Sequence, residues 1–526
     1  VDPSFDLLYF LLPGDQLGQV AAFPGVYSLQ PVPTNGGDRG ELSNQVLAGN
    51  MDAYNRALTG YQSWLDQLGL SGAGVVIANV DSGIDETHPD LAVRILDCTG
   101  DTCGGSETAS NHGTHTAGIM AGDGSSGVVD PNGFLRGLGV APGAHLVEQI
   151  YDPTYQQENG MLTLMYDSLL NGAVISGNSW GPSSTPKGYD LDTRLVDIGV
   201  RDSDPNNPGN QSLSYVLSMM NGYGGVSTQG TPDEAKNTIT VGSTRMQTAN
   251  GSQILNINDL SANTAHGPAL DGRIIPHMVA PGCYVDSTVM NAGYATMCGT
   301  SMASPHVTGA AALFYEKYRY QFGEDPSPAM VKAALLAAAL DLAGGKDADG
   351  MPMGHPFDAK QGWGRLDMSA ALDPTMSAEY FDQKRVFQKT GQFWTYTLSS
   401  EGYFDDLRAM LVWTDAPGHG QGGSAPAWVN NLDLAITVDG QTYYGNNFGS
   451  DGFSTPGGSQ DGMNNTEGIF LKNIASGEIT ITITAANIAG DGVPNHGNQT
   501  DQDFALVVYY TEENPNYDSF LPIIFK

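Results

Sequence analysis

The pattern of apolar residues changes character near Asp373, and no other feature constrains the possible folds so strongly. Ahead of that point, short unbroken β-branched runs such as GVVIANV at 74–80 and NTITVG at 237–242 are separated by Gly-rich turns and helical stretches. A run without polar alternation fits a parallel strand covered on both faces. Helices are signalled by HTAGIMAG at 115–122, by the Ala-rich stretch after Ser301, and by SPAMVKAALLAAALDLA, where Ser327 caps and Pro328 suits the first turn. Strand and helix alternating in this way specify an α/β domain. Beyond Asp373 the helical period stops. FWTYTLS, LRAMLVWT, LDLAITVDG, GIFLKNI, GEITITITA and FALVVYY follow, divided by clusters of Gly, Asn, Asp and Pro. Short strands at that spacing predict an antiparallel β-sandwich of about 130 residues.

A chain of 526 residues exceeds what one hydrophobic core organises. We expect an N-terminal extension and linker over 1–45, a three-layer α/β domain with a mainly parallel sheet over 46–376, the sandwich over 377–511 and a tail over 512–526. Within the extension, 7–12 and 26–32 read as strands, 16–23 as a helix and 33–40 as a polar linker.

Lys and Arg number 22 against 57 Asp and Glu, a net charge of −35. That field repels phosphate backbones and anionic headgroups, so nucleic acid is excluded as a partner. The carboxylates either solvate the surface or, in part, cage calcium. No run of about twenty apolar residues is present, so no membrane span is expected, and the start at Val1 without Met or an apolar leader suggests a processed, soluble form. Four cysteines allow three connectivities. Cys98 and Cys103 bracket a short loop, and Cys283 and Cys298 flank a hairpin-like segment. We read two local disulfides and an extracellular location, with buried free thiols as the other reading.

Three segments carry chemistry: VVIANVDSGID with Asp81, NHGTHTAG with His112 and GTSMASPHVTGAAAL with Ser301. Singly, Ser301 would pass as a helix cap and Asp81 as a turn residue. Together they supply a nucleophile, a base and a carboxylate to orient the base, which is what nucleophilic acyl transfer requires. An esterase of the α/β-hydrolase type would need GxSxG and the order Ser, Asp, His, whereas Ser301 lies in GTSMA.

DSGID, HGTHTAG and GTSMASPHV resemble the three signature segments of the subtilisin-like serine proteases. The resemblance implies a secreted endopeptidase that needs no cofactor for its chemistry and takes protein or peptide substrates. His112 would take the proton of Ser301 while Asp81 fixes the imidazole tautomer. By the same resemblance, Asn221 in YVLSMMNGYGG is the side-chain oxyanion donor, although Met219 and Met220 stand where the family has small residues. VISGNSWG resembles the strand that the family pairs with the substrate backbone, which implies that Ser179, Trp180 and Gly181 line the non-primed subsites, with a buried core Trp as the other reading. LVWTDAPG, NNLDLAIT and NNTEGI resemble the jelly-roll domain of the alkaline, oxidatively stable subtilisins, where Asp415, Asn431, Asp433 and Glu467 are structural calcium ligands or turn residues. Asp90 in THPDL is a further calcium candidate, whereas KDADG, with Asp347 and Asp349, lacks the later Glu of an EF-hand. FPGVYSLQPVP resembles the end of a subtilisin propeptide, implying a zymogen whose own pro-segment is an intramolecular partner of a monomeric enzyme.

Overall fold

The computed structural model describes residues 14–24, 26, 41–105, 107–249, 251–254, 256–373, 376–399, 403–474 and 478–513. The strand expected over 7–12, nearly all of that over 26–32, the linker at 33–40 and the tail beyond Glu513 lie outside the described residues. The helices are α1 (Leu17–Ala21), α2 (Leu42–Leu47), α3 (Tyr61–Leu68), α4 (Asn111–Ala121), α5 (Gly160–Leu170), α6 (Leu191–Arg201), α7 (Thr300–Phe322), α8 (Pro328–Ala337) and α9 (Met368–Leu372).

One sheet of eight strands comprises β1 (Val76–Asp81), β2 (Ile95–Leu96), β3 (His145–Ile150), β4 (Ile175–Asn178), β5 (Ser214–Ser218), β6 (Ile239–Arg245), β7 (Met278–Val289) and β8 (Gly293–Cys298). They lie in the order β2-β3-β1-β4-β5-β6-β7-β8, parallel except for the β7/β8 hairpin. Alternate residues of β1 serve opposite faces. Ile77 packs with Ala117 and Met120 of α4 and Val307 and Ala310 of α7, whereas Ala78 and Val80 pack with Met161 and Met165 of α5 and Val196 of α6. Covering both faces is what the unbroken apolar run required.

The remaining strands are β9 (Ser377–Phe387), β10 (Phe393–Ser399), β11 (Tyr403–Val412), β12 (Asn431–Val438), β13 (Gln441–Phe448), β14 (Ser454–Pro456), β15 (Thr466–Ile474), β16 (Glu478–Asn487) and β17 (Gln502–Glu513). They form a five-stranded sheet, β10-β16-β12-β13-β14, and a four-stranded sheet, β15-β11-β17-β9, both antiparallel. Leu432, Leu434 and Ile436 of β12 with Ile479, Ile481 and Ile483 of β16 meet Leu407, Leu411, Leu506 and Val508 across a shared core. The other face of β11 and β17, with Met410, Val412, Ala505, Val507 and Tyr509, joins the core of the α/β region beneath α8. FALVVYY is therefore continuous rather than alternating because its strand is buried on both sides.

Polar contacts lock this junction. The Arg201 guanidinium donates to both oxygens of Asp503 at 2.8 and 2.6 Å. Trp363 is fully buried, stacks on Phe357 with centroids 4.5 Å apart and meets Phe448 and Phe470 from the C-terminal sheets. No described helix is long and apolar enough to cross a membrane.

Candidate active site

Asp81 ends β1 at the carboxyl edge of the sheet, where β3 and β4 flank the same strand and the winding direction reverses. Ligand sites of open α/β sheets form at such switch points. Its carboxylate is almost fully buried, and each oxygen is satisfied. Oδ1 accepts from the Ser82 N–H at 2.7 Å and the Ser82 hydroxyl at 2.9 Å, and Oδ2 accepts from Thr116 Oγ1 at 3.3 Å. Ser110 caps α4 by accepting the Gly113 N–H at 3.0 Å, which puts His112 in the first turn. His112 Nδ1 lies 2.8 Å from Asp81 Oδ1, and the imidazole stays 40% exposed against 2% for the Asp81 side chain. Burial disfavours the imidazolium, but the charge and hydrogen bond of Asp81 together outweigh it and raise the His112 pKa above 6.5.

Ser301 lies in the first turn of α7. Pro305, four residues on, has no N–H to offer the Ser301 carbonyl. The Ser179 hydroxyl fills that place, donating to Ser301 O at 2.9 Å, while Ser301 Oγ donates to Ser179 O at 3.1 Å. The structure thus joins Asp81 to His112 and seats Ser301 on Ser179; the Ser301 hydroxyl is turned to that carbonyl rather than to the imidazole. Asn221 is also adjacent. Its Oδ1 accepts from the Thr300 N–H and from Asn263 Nδ2, both at 3.0 Å, which orients the amide with Nδ2 available as a donor beside the start of α7. Trp180 stacks on Tyr151 with centroids 4.3 Å apart. A Cβ on Gly181 would stand 2.5 Å from Thr231 O, so only glycine fits there.

A sequence model described as the subtilase family matches residues 72–364, more than half of the chain and all of the residues just placed. The chain belongs to the subtilase family. It is 32% identical to subtilisin E of Bacillus subtilis (strain 168) over 269 residues, which is 48% of this chain and 58% of that protein. With the subtilisin of Bacillus pumilus it shares 31% over 269 residues, 48% of this chain and 81% of that one. The match thus spans little more than half the length of subtilisin E. Among solved structures it resembles Sphericase, with a TM-score of 0.42 and 25% identity over 56% of this chain and 92% of that chain.

In this subtilase, several supports of the site carried no distinct signal in the sequence. Glu148 of β3 is one of them, whereas Ser82 and Thr116 lie inside the quoted segments DSGID and HGTHTAG. Glu148 accepts the Ile84 N–H at 2.8 Å and the Thr108 hydroxyl at 3.2 Å, tying the loop after Asp81 to the segment before His112. Burial raises its carboxyl to about 7. The cysteines pair locally, Cys98–Cys103 and Cys283–Cys298.

Of the residues expected as calcium ligands or turn residues, Asp415 has both oxygens occupied: they accept from Lys236 Nζ at 2.6 Å and from the N–H groups of Val429 and Asn430. Asp90 is likewise spent on the Ser126 N–H and the Tyr294 hydroxyl. His266, Asp347 and Asp349 come together, but the Lys360 ammonium already pairs with Asp347 and the Gly225 N–H with Asp349. Glu467 differs. It is fully buried, its Oε2 accepts the Leu434 N–H at 2.7 Å, and its Oε1 has no partner. Burial pushes it well above the usual carboxylate range, and the charges of Asp433 and Asp461 push the same way. Asn431 donates to Asp433 Oδ1 at 3.0 Å beside it.

Proposed function

We propose that this subtilase is a secreted serine endopeptidase that hydrolyses peptide bonds in proteins through an acyl-enzyme on Ser301. One observation carries the reading: a buried, fully hydrogen-bonded carboxylate holds Nδ1 of a half-open histidine, so that Nε2 is left as the base. Substrate adds as an extended strand along Ser179, Trp180 and Gly181. As its carbonyl approaches, Ser301 Oγ exchanges its bond to Ser179 O for one to His112 Nε2. Oγ attacks the carbonyl carbon, the proton passes to Nε2, and the imidazolium so formed is stabilised by Asp81. The Ser301 N–H and Asn221 Nδ2 receive the oxyanion. His112 then protonates the leaving amine, and water, deprotonated by the same nitrogen, releases the acyl group.

No cofactor enters this scheme. Structural calcium fits the region of Asn431, Asp433 and Glu467, where two carboxylates are buried and one oxygen is unpaired; there it would offset carboxylate repulsion. The remaining elements of the proposal are a monomer, a zymogen inhibited by residues 1–45, and a C-terminal jelly roll that stabilises the enzyme. Casein hydrolysis by the wild type and by Ser301→Ala tests the core of the reading. Loss of turnover in the variant is expected; equal turnover would refute it.

A further inference from the structure

The β7/β8 hairpin touches all three segments that carry Asp81, His112 and Ser301. Its tip turns through two left-handed residues, Asn291 (φ 62) and Ala292 (φ 53). There the Asn291 N–H donates to Asp85 Oδ2 at 2.7 Å and the Met290 N–H to Asn111 Oδ1 at 3.1 Å. Asp85 lies in the loop that follows Asp81, and Asn111 directly precedes His112. Along the flank, Thr288 Oγ1 donates to Thr114 O at 2.7 Å and Ser287 Oγ to His115 O at 3.0 Å. The His115 ring answers, with Nε2 2.9 Å from Ala295 O and 3.1 Å from Val285 O. A Cβ on Gly118 would stand 2.2 Å from Thr288 Oγ1, so helix and hairpin leave no room for a side chain there.

The base of the hairpin delivers the nucleophile. Only Gly299 and Thr300 separate Cys298 from Ser301, and the Gly299 N–H donates to Gly282 O at 2.8 Å. At this end the backbone ladder is interrupted: the register slips between Cys283 and Val285, and Tyr284 takes a left-handed φ of 60°. A bulge leaves a residue unpaired and weakens pairing locally. The Cys283–Cys298 disulfide closes the hairpin at that weak point. Cys283 is 6% exposed, whereas Cys298 faces solvent.

We infer that the Cys283–Cys298 disulfide is a positioning element that holds the start of α7, and with it Ser301, in register with His112 and Asp81, so that its reduction slows acylation. The inference rests on the proposed role of Ser301. A dithiol such as dithiothreitol attacks Cys298 Sγ, Cys283 leaves as the thiolate, and the second thiol of the reagent resolves the mixed disulfide. Two electrons and two protons pass to the protein, and the reagent leaves as its cyclic disulfide.

The test compares wild type, Cys283→Ser/Cys298→Ser and Cys98→Ser/Cys103→Ser for the rate of fluorophosphonate labelling at Ser301, for kcat and KM on a peptide, and for Tm. The first variant should label about tenfold more slowly or worse, with kcat reduced and KM within about twofold, while its Tm stays above the assay temperature. The second should label at the wild-type rate. Wild-type labelling by the first variant would overturn the inference. If that variant does not fold, wild-type enzyme reduced under native conditions should lose labelling in step with the mass of the Cys283 and Cys298 peptides and regain it on reoxidation; unchanged labelling with both thiols free would overturn it. Wild-type enzyme that never labels at Ser301 would remove the proposed function and this inference together, a result distinct from equal labelling of all forms.

Discussion

The candidate active site and the junction with the C-terminal sheets each contain a short contact between an aspartate and a basic side chain, and the two are finished differently. Lys236 and Asp415 are both fully buried, and every ammonium donor is used: Asp415 Oδ2 and Ala416 O each lie at 2.6 Å and Ala427 O at 2.9 Å. Nothing is left over for chemistry, and the pair joins residues far apart in the chain. His112 and Asp81 meet at 2.8 Å with the carboxylate equally buried, but the ring is 40% exposed and engages Asp81 through Nδ1 alone. A pair with all valences filled acts as a clasp; a pair with one nitrogen open is free to act as the base that the proposed mechanism needs.

Asp81→Asn should separate the two roles most sharply. It keeps the shape but sets the wrong tautomer at His112, so kcat should fall about ten-thousand-fold with little change in Tm, as read by peptide hydrolysis and thermal unfolding. Lys236→Met should do the reverse. It strands the Asp415 charge in a dry site and should destabilise the protein by about 3–5 kcal/mol, without changing kcat per folded molecule; adding Asp415→Leu should recover most of the loss in a denaturant titration. A large activity loss in folded Lys236→Met would show that the junction also serves catalysis. Asn221→Ala should lower kcat about a hundred- to a thousand-fold and leave KM nearly unchanged, since in the proposed mechanism the amide is needed only once charge develops on the carbonyl oxygen. The smallest effect is on the His112 titration. Its folded pKa lies above 6.5 because of Asp81, so the pair's extra stability is full below 6.5 and is lost as pH rises through the folded value, while activity rises over the same interval as Nε2 is freed. In Asp81→Asn, burial acts alone, and the midpoint followed by NMR should move below that of the wild type.

Much of this comparison was legible in the sequence on one side only. Asp81 and His112 sit in segments whose Gly, Ser and Thr residues have no other economical explanation, and the unbroken run at 74–80 announces a strand covered on both faces. Asp415, by contrast, reads as a turn residue or calcium ligand, because its partner Lys236 is 179 positions away, in the α/β region rather than among the C-terminal strands. FALVVYY reads only as one strand of an antiparallel sandwich; that α8 also covers its second face was not legible. The hold of the hairpin's tip on the site was invisible for another reason. Asn291 and Met290 act through backbone N–H groups, which every residue but proline carries, so no residue type marks them. The seat of Ser301 on Ser179 was half legible, since Pro305 advertises a carbonyl lacking its helical donor but not which hydroxyl supplies one.

The central claim is that Ser301 is a nucleophile activated by the open nitrogen of His112. Fluorophosphonate labelling followed by peptide mapping tests it most directly, in the wild type and in His112→Ala across the acid limb. The account predicts a single adduct on Ser301 in the wild type, forming faster as pH rises through the His112 titration, and almost none in the variant. An adduct on another residue, or a Ser301 adduct that forms at the same rate without His112, would contradict it.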